Sequence, residues 1–149
     1  MNEEIKKGLL GIVVDETTIS HVVPELSALT YRGYKVQDLC DKCDFEEVAY
    51  LVLHGELPSK AQLKKFIKEE RSSRKLSKSI IKNIQQMPKN SHPMDVIRTC
   101  VSLMSLEDKD TKDNSPKANM RKALRIFSQT PTVVAAYFRA RKGKKIISP

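Results

Sequence analysis

Apolar residues recur every three or four positions over most of the chain, which is the period of an amphipathic α-helix. The pattern predicts an all-α body over residues 35–142, with about seven helices joined by short loops. The apolar faces that define these helices are formed by Phe45, Val48, Ala49 and Val52, by Leu63, Phe66 and Ile67, by Leu76, Ile80, Ile81, Ile84 and Met87, by Val96, Ile97, Cys100, Val101 and Met104, by Met120, Ala123, Leu124 and Phe127, and by Val133, Val134, Tyr137 and Phe138.

Residues with capping chemistry indicate where several of these helices begin and end. Asp44 followed by Glu47 has the pattern of a capping box, and Gly55 is the residue type that ends a helix. Pro93 comes directly after His92, at the first helical position that tolerates proline. Thr130–Pro131 either restarts or kinks the last helix.

β-branched residues are concentrated only near the N-terminus. Ile12–Val14 and Thr17–Val23 are two short β-rich runs that flank the acidic turn Asp15–Glu16. This arrangement predicts a β-hairpin over about residues 10–23. A two-stranded hairpin is marginally stable by itself, so it must lie on other structure.

The segment Tyr31, Arg32 and Gly33 joins the β-rich part to the helical part and is predicted to be a structural corner. Gly33 can adopt a positive φ, and Tyr31 has an apolar ring with a polar tip. The guanidinium of Arg32 must be exposed, paired or held by carbonyl groups, because a buried unpaired charge is too costly. Binding of an anion by Arg32 is the less favoured alternative.

Composition restricts the class of protein more than it identifies a function. The 149 residues suit one domain, 40% of them are hydrophobic, aromatic residues make up 5%, and the formal net charge is +9. No apolar run reaches the ~18–20 residues of a membrane span, and the N-terminus is not a signal peptide. We therefore expect a cytoplasmic protein without a membrane partner.

The three cysteines and three histidines indicate no catalytic or metal site. An odd number of cysteines in a cytosolic chain favours free thiols, although Cys40 and Cys43 have the spacing of a zinc or redox pair. No second ligand pair exists for zinc, and a redox pair would follow a strand in an α/β pattern. His54 and His92 lie at helix ends, where structural roles are favoured. The basic residues between 60 and 82 lack interleaved aromatics, so a solvated surface is favoured over a nucleic-acid site.

Several motifs, in order and with their spacing, resemble the citrate synthase family over residues 6–142. They are Gly8-Leu9-x-Gly11-Ile12-Val13, Leu29-x-Tyr31-Arg32-Gly33-Tyr34, Phe45-Glu46-Glu47-Val48-Ala49-x-Leu51, His54-Gly55-Glu56-Leu57-Pro58 and Ser91-His92-Pro93-Met94-Asp95-Val96-x-Arg98-Thr99. Within the family the sequence is most similar to the bacterial citrate and 2-methylcitrate synthases, and the residues His92-Pro93-Met94-Asp95-Val96 favour the methylcitrate branch.

The resemblance implies a transferase that condenses acetyl-CoA or propionyl-CoA with oxaloacetate, with the acyl-CoA as a substrate and no separate cofactor or metal. In the family, two histidines and an aspartate perform the acid–base chemistry in later motifs, so no catalytic role is transferred to this chain. Lys7 matches a position near the CoA phosphates and is a weak CoA-binding candidate; a solvated lysine is an equally good interpretation.

The resemblance further implies that this segment is the first part of the large helical domain, without the small catalytic domain. Its later helices correspond to those that pair across a homodimer or higher homo-oligomer. The candidate interface residues are Val96, Val101, Met104, Met120, Leu124 and Phe127, although core packing would give the same pattern.

Members of the family are more than twice as long as this chain, so the chain is expected to be a fragment or a natural stub without synthase activity by itself. Self-association is expected to cover its apolar faces. Two alternatives from other classes are a non-enzymatic helical interaction module and, less favoured, a basic nucleic-acid binder.

Overall fold

A computed structural model of the chain describes residues 6–26 and 28–149, and it consists of two compact units, Met1–Leu63 and Lys64–Pro149. The prediction of a mainly helical chain with a little β-structure near its N-terminus is confirmed. The described residues form three strands, β1 (Ser20–Val23), β2 (Ala28–Tyr31) and β3 (Tyr34–Lys35), and six α-helices, α1 (Val36–Lys42), α2 (Phe45–His54), α3 (Lys60–Ser73), α4 (Lys78–Gln86), α5 (Pro93–Leu106) and α6 (Pro116–Arg141).

The three strands form one antiparallel sheet in the order β1-β2-β3, with Ser20 opposite Tyr31. This pairing differs from the hairpin expected over residues 10–23, because β1 pairs with β2 and Ile12–Val14 lie outside the strands. Leu9 and Gly11 have φ values of 59° and 75°, which bend the backbone before Ile12. High β-propensity marked both runs but carried no information about which strand would be their partner.

The connection between β2 and β3 is a two-residue hairpin turn. Tyr31 lies opposite Tyr34, and the two residues between them, Arg32 and Gly33, have φ values of 48° and 87°. A tight hairpin turn that matches the twist of its strands requires positive φ at both central residues. Glycine adopts this conformation freely, whereas arginine is strained in it.

The first unit also contains α1 and α2, whose ends follow the capping pattern in the sequence. The Asp44 backbone N–H donates to Glu47 Oε2 at 2.7 Å, so the predicted capping box is present. Gly55 has a φ of 94°, and its N–H donates to the carbonyl of Leu51 at 2.8 Å. The buried apolar side chains of this unit are Leu39, Tyr50 and Leu51.

The second unit has its hydrophobic core between α4, α5 and α6, and this core contains residues from three of the six apolar faces that the periodicity identified. The buried cluster consists of Leu76, Ile80, Ile84, Val96, Cys100, Met104, Val133, Ala136 and Tyr137. The Tyr137 hydroxyl contacts the carbonyls of Pro88 at 2.9 Å and Ser91 at 3.1 Å, which ties α6 to the connection between α4 and α5.

The last helix, α6, continues through Pro131 as one element of 26 residues and does not restart there. A proline inside a helix destabilises it by ~3 kcal/mol or more. Val133, Ala136 and Tyr137 are all buried after this point. Their burial stabilises the continued helix and offsets the effect of the proline.

Candidate functional site

The guanidinium of Arg32 is held by protein atoms of α2 and of the segment before β1 in the first unit. Its Nη2 and Nε donate to the carbonyl of Val52 at 3.0 and 3.4 Å, and its Nη1 donates to Thr18 Oγ1 at 2.7 Å. Val52 lies in the last turn of α2, where carbonyl groups lack intrahelical partners and a positive charge is favourable. These contacts support the structural interpretation of the corner formed by Tyr31, Arg32 and Gly33.

The same geometry weakens the alternative that Arg32 binds an anion. All three guanidinium nitrogens donate to protein oxygens, and the backbone N–H of Arg32 donates to the carbonyl of Ile19 at 2.8 Å. These contacts use three of the five N–H groups of the guanidinium, so an anion could reach only the remaining two.

Lys7, the CoA-binding candidate, lies in a short 3-10 turn formed by Lys7–Leu9 and is exposed. Its ammonium group is a flexible point charge, which a phosphate could approach from solvent. Its role stays a prediction.

The structure divides the six candidate interface residues into two groups. Val96, Met104 and Leu124 are at most 8% exposed and pack within the chain. Val101, Met120 and Phe127 are half-buried. Sequence periodicity could not separate these groups, because both have the same helical spacing.

Part of the exposed apolar surface of the second unit lies along the α5–α6 face, which we define by Ile97, Val101, Ile126, Val134 and Phe138. Ile126, Val134 and Phe138 are 41%, 48% and 58% exposed, whereas Ile97 and Val101 are half-buried. In the sequence, this surface is indicated by two adjacent apolar pairs on α6, Val133–Val134 and Tyr137–Phe138. Two neighbouring apolar residues per turn give a helix an apolar arc that is wider than one core contact can cover.

Two hollows lie along this face between α5 and α6. Each has a volume of about 110 Å³. The first is almost wholly apolar and has Arg141 at its edge, 5.7 Å from the ring centroid of Tyr137. The first is lined by Pro93, Val96, Ile97, Val133, Val134, Tyr137, Phe138 and Arg141, and the second includes Val101, Met104 and Ile126.

A larger polar hollow of about 400 Å³ lies near the start of α6, but its charges largely neutralise each other. Arg125 pairs with Asp108 at 3.2 Å, and Arg121 pairs with Asp110. The paired charges leave no clear preference for an anionic or a cationic ligand.

Cys43 and Cys100 have the properties of structural residues. Cys40 is exposed, Cys43 is half-buried, Cys100 is buried, and all three are free thiols. Burial, with the negative charges of Glu47 and Asp44, raises the pKa of the Cys43 thiol, and burial raises the pKa of the Cys100 thiol. A reactive or metal-binding cysteine needs the opposite shift, because the thiolate is the nucleophile and the ligand.

Two of the three histidines occupy the helix ends that the sequence indicated. His54 lies in the last turn of α2 and stacks on Tyr50 with ring centroids 4.1 Å apart. His92 is the N-cap of α5, and its Nδ1 accepts a hydrogen bond from the Met94 N–H at 3.2 Å. His21 is an exposed residue of β1. Sequence reasoning thus located the His92 contact with the backbone correctly.

Two further features are absent from the part of the chain that the structure describes. Residues 6–26 and 28–149 contain no group of three or more His, Cys, Asp or Glu side chains able to hold a metal ion. None of the helices in these ranges combines the length and the apolar character required to cross a membrane.

Comparison with known proteins gives consistent results from sequence and from structure. A family model described as "Citrate synthase, C-terminal domain" matches residues 8–149. The chain is 49% identical over 146 residues to the 2-methylcitrate synthase of Mycobacterium tuberculosis, covering 98% of this chain and 37% of that protein. It is 50% identical over 145 residues to the citrate synthase of Mycolicibacterium smegmatis, covering 97% of this chain and 38% of that protein.

A solved structure shows the same relationship. The crystal structure of citrate synthase from Thermotoga maritima aligns with a TM-score of 0.84 and 32% sequence identity, over 98% of this chain and 37% of that chain. The chain therefore spans less than two-fifths of the length of the relatives it matches.

Proposed function

Because the chain belongs to the citrate synthase family, we propose that it forms the N-terminal segment of the large helical domain of a citrate or 2-methylcitrate synthase. The observation that carries this proposal is the match over residues 8–149, together with a backbone that follows a solved citrate synthase at a TM-score of 0.84. In this role the chain supplies scaffold and association helices.

The reaction of the complete enzyme would join a short acyl-CoA to oxaloacetate, with CoA as the leaving group and no separate cofactor. Both acetyl-CoA and propionyl-CoA remain candidates, because the identities to a 2-methylcitrate synthase and to a citrate synthase, 49% and 50%, are nearly equal. Lys7 would contribute a charge toward the CoA phosphates. The free thiols of the chain favour a cytoplasmic location.

The chain alone is proposed to be inactive, because its three histidines are at helix ends or in an exposed strand. The acid–base groups that enolise a thioester must lie within hydrogen-bond reach of the reacting atoms. His54 and His92 are instead engaged with Tyr50 and with the backbone of α5. The acid–base groups would come from the part of the relatives that this chain does not span.

Release of CoA tests this proposal directly. The purified chain is assayed with acetyl-CoA and with propionyl-CoA, each with and without oxaloacetate, by following the free thiol. We expect no oxaloacetate-dependent release from the chain alone. We expect oxaloacetate-dependent release of CoA when the chain is co-expressed with the part of the M. tuberculosis relative that it does not match. Activity of the chain alone would overturn the proposed division of roles; no activity and no complex with the remainder would favour the interaction module.

We also propose that the α5–α6 face is where the chain contacts a second copy. Its apolar residues lie side by side along two antiparallel helices and are flanked by two shallow hollows that could receive side chains. Sedimentation velocity over a concentration series tests this. Phe138→Ser should weaken self-association, whereas Leu106→Ser, which changes an exposed apolar residue outside this face, should not. Equal behaviour of the two variants would contradict the assignment.

A further inference from the structure

Charge is divided very unevenly between the two compact units. Residues 1–63 carry 6 Lys and Arg against 11 Asp and Glu, which gives a formal net charge of −5, whereas residues 64–149 carry 21 against 7, which gives +14. The overall value of +9 therefore understates the positive charge of the second unit. Charge asymmetry of this kind indicates binding to a polyanion.

The positive charge of the second unit is concentrated on α3, α4 and the connection between them. Residues 64–82 contain eight Lys or Arg and two carboxylates, Glu69 and Glu70. Glu70 is 4% exposed, and its Oε2 pairs with Nη2 of Arg74 at 2.7 Å, so this carboxylate does not neutralise the surface. Six exposed lysines in this range form what we define as the basic surface: Lys64, Lys65, Lys68, Lys75, Lys78 and Lys82.

The lysines of the basic surface point away from the buried sides of their helices. Lys64 and Lys68 are one turn apart on α3, on the side opposite to the buried Phe66. Lys78 and Lys82 are one turn apart on α4, whose buried residues lie on the opposite side. These four ammonium groups are therefore presented to solvent in two rows.

The connection between the two helices adds a further positive region. Lys75 lies in this connection and lines a hollow of about 260 Å³ together with Lys145. Lys145 belongs to the basic C-terminal segment, which also contains Lys142 and Lys144. The basic surface thus continues toward the C-terminal segment on one side of the unit.

The ammonium groups of the basic surface are not neutralised by other side chains. Within residues 6–26 and 28–149, none of the six forms an ion pair or a hydrogen bond. Other cations of the same unit are paired, as Arg98 is with Asp95 at 3.0 Å and Arg125 with Asp108 at 3.2 Å. A polyanion could therefore bind the six lysines without breaking an ion pair of the protein.

We propose that the basic surface binds the phosphate backbone of a double-stranded nucleic acid, independently of the base sequence. Lysine ammonium groups are point charges on flexible stems, so each can adjust its position to a phosphate. Neutralisation of phosphates releases condensed counterions, which drives binding of this kind. The inference goes beyond the proposed synthase role and rests on the charges of the second unit, so either can fail without the other.

The residues around the lysines favour a duplex over a single strand or a membrane. Phe66 is the one aromatic residue in the range 64–82, and it is 5% exposed. Single-strand binding relies on exposed aromatic rings on which bases stack. Membrane-surface helices insert large apolar side chains, and none in this range is exposed. The lack of aromatics that favoured a solvated surface in the sequence thus argues against base contacts but not against phosphate contacts.

Fluorescence anisotropy of a labelled DNA duplex of about 20 base pairs, titrated with the purified chain between 50 and 200 mM NaCl, tests the proposal. Each neutralised phosphate contributes about −0.9 to the slope of the logarithm of the binding constant against the logarithm of salt, so six lysines predict a slope of about −5. Affinity should then fall about 1,000-fold over this range. A duplex of unrelated sequence should bind equally well, and the corresponding single strand should bind more weakly.

Three triple variants determine where the duplex binds. Two of them each remove half of the basic surface, and the control removes three exposed lysines elsewhere in the same unit. Either half should make the slope less steep by about 2.7, and the control should change it by less than about 1. Circular dichroism shows whether each variant is folded. The variants are Lys64→Gln with Lys65→Gln and Lys68→Gln, Lys75→Gln with Lys78→Gln and Lys82→Gln, and, as the control, Lys89→Gln with Lys109→Gln and Lys117→Gln.

Four results would overturn the proposal. They are no duplex binding at 50 mM NaCl, duplex binding that does not depend on salt, tighter binding to the single strand, and an equal loss of slope in the control variant. Co-sedimentation with phosphatidylserine vesicles, without duplex binding, would assign the basic surface to a membrane instead. The salt series and the comparison of duplex, single strand and vesicles use the unaltered chain, so they remain decisive if a variant fails to fold.

Discussion

Replacement of Arg32 is the sharpest test of how the first unit is held together. This residue combines a strained backbone, with φ at 48°, and a guanidinium that donates to Val52 and Thr18. Arg32→Ala removes the side-chain contacts and keeps most of the backbone strain. Arg32→Gly removes both, because glycine adopts positive φ freely. The pair of variants therefore separates the two effects.

The expected magnitudes follow from the contacts. Hydrogen bonds that involve a charged group contribute roughly 1.5–3 kcal/mol, and the two bonds to the Val52 carbonyl share one acceptor. We therefore expect Arg32→Ala to lower the free energy of unfolding by about 2–3 kcal/mol. Relief of the left-handed conformation is worth about 1 kcal/mol, so Arg32→Gly should be more stable than Arg32→Ala by that amount.

Urea unfolding followed by far-UV circular dichroism measures these differences, and hydrogen exchange at the end of α2 shows whether the loss is local. Tyrosine fluorescence is a second probe, since the chain has no tryptophan. Arg98→Ala is the matched control. Its ion pair with Asp95 is largely exposed, with side-chain exposures of 80% and 60%, and such pairs contribute only about 0–1 kcal/mol.

Two results would refute this reasoning. If Arg32→Ala unfolds within about 0.5 kcal/mol of the unaltered chain, the carbonyl contacts do not stabilise the unit as hydrogen bonds to a charged group should. If Arg32→Gly is no more stable than Arg32→Ala, the turn does not store the backbone strain that the φ value implies.

Three further predictions concern single side chains. Tyr137→Phe removes the hydroxyl that contacts two carbonyls between α4 and α5 and should lower the free energy of unfolding by about 1–2 kcal/mol, measured by urea unfolding. Hydrogen bonds from Ser115 hold the pKa of Asp113 below its usual range; this stabilisation is present above the pKa of the unfolded chain and is lost as pH falls through the lower folded value. An NMR titration of the Asp113 carboxyl should give a midpoint below that of an ordinary aspartate, and a normal midpoint would count against the contact. Cys40 is exposed and should react quickly with a thiol reagent, whereas the buried Cys100, whose pKa is raised, should react only after unfolding; equally fast reaction of both would contradict the described core.

The amino-acid sequence determined the helices and most of their ends, because these depend on nearby residues. The capping box of Asp44 and Glu47, the positive φ of Gly55 and the position of Pro93 are set within one or two turns of chain. The recurrence of apolar residues likewise identified Ile80, Ile84 and Cys100 as core residues. Shared motifs were sufficient to indicate the family.

Features that depend on distant residues were decided only by the tertiary structure. The acceptors of Arg32 and the continuation of α6 through Pro131 each require contacts with other segments of the chain, and the choice of β2 as the partner of β1 is not contained in the β-propensity of either run. The same limit explains why Val96 and Met104 could be candidates for an interface and yet lie in the core. Helical spacing shows which residues share a face, but only the packing of α4, α5 and α6 decides which of those faces is covered.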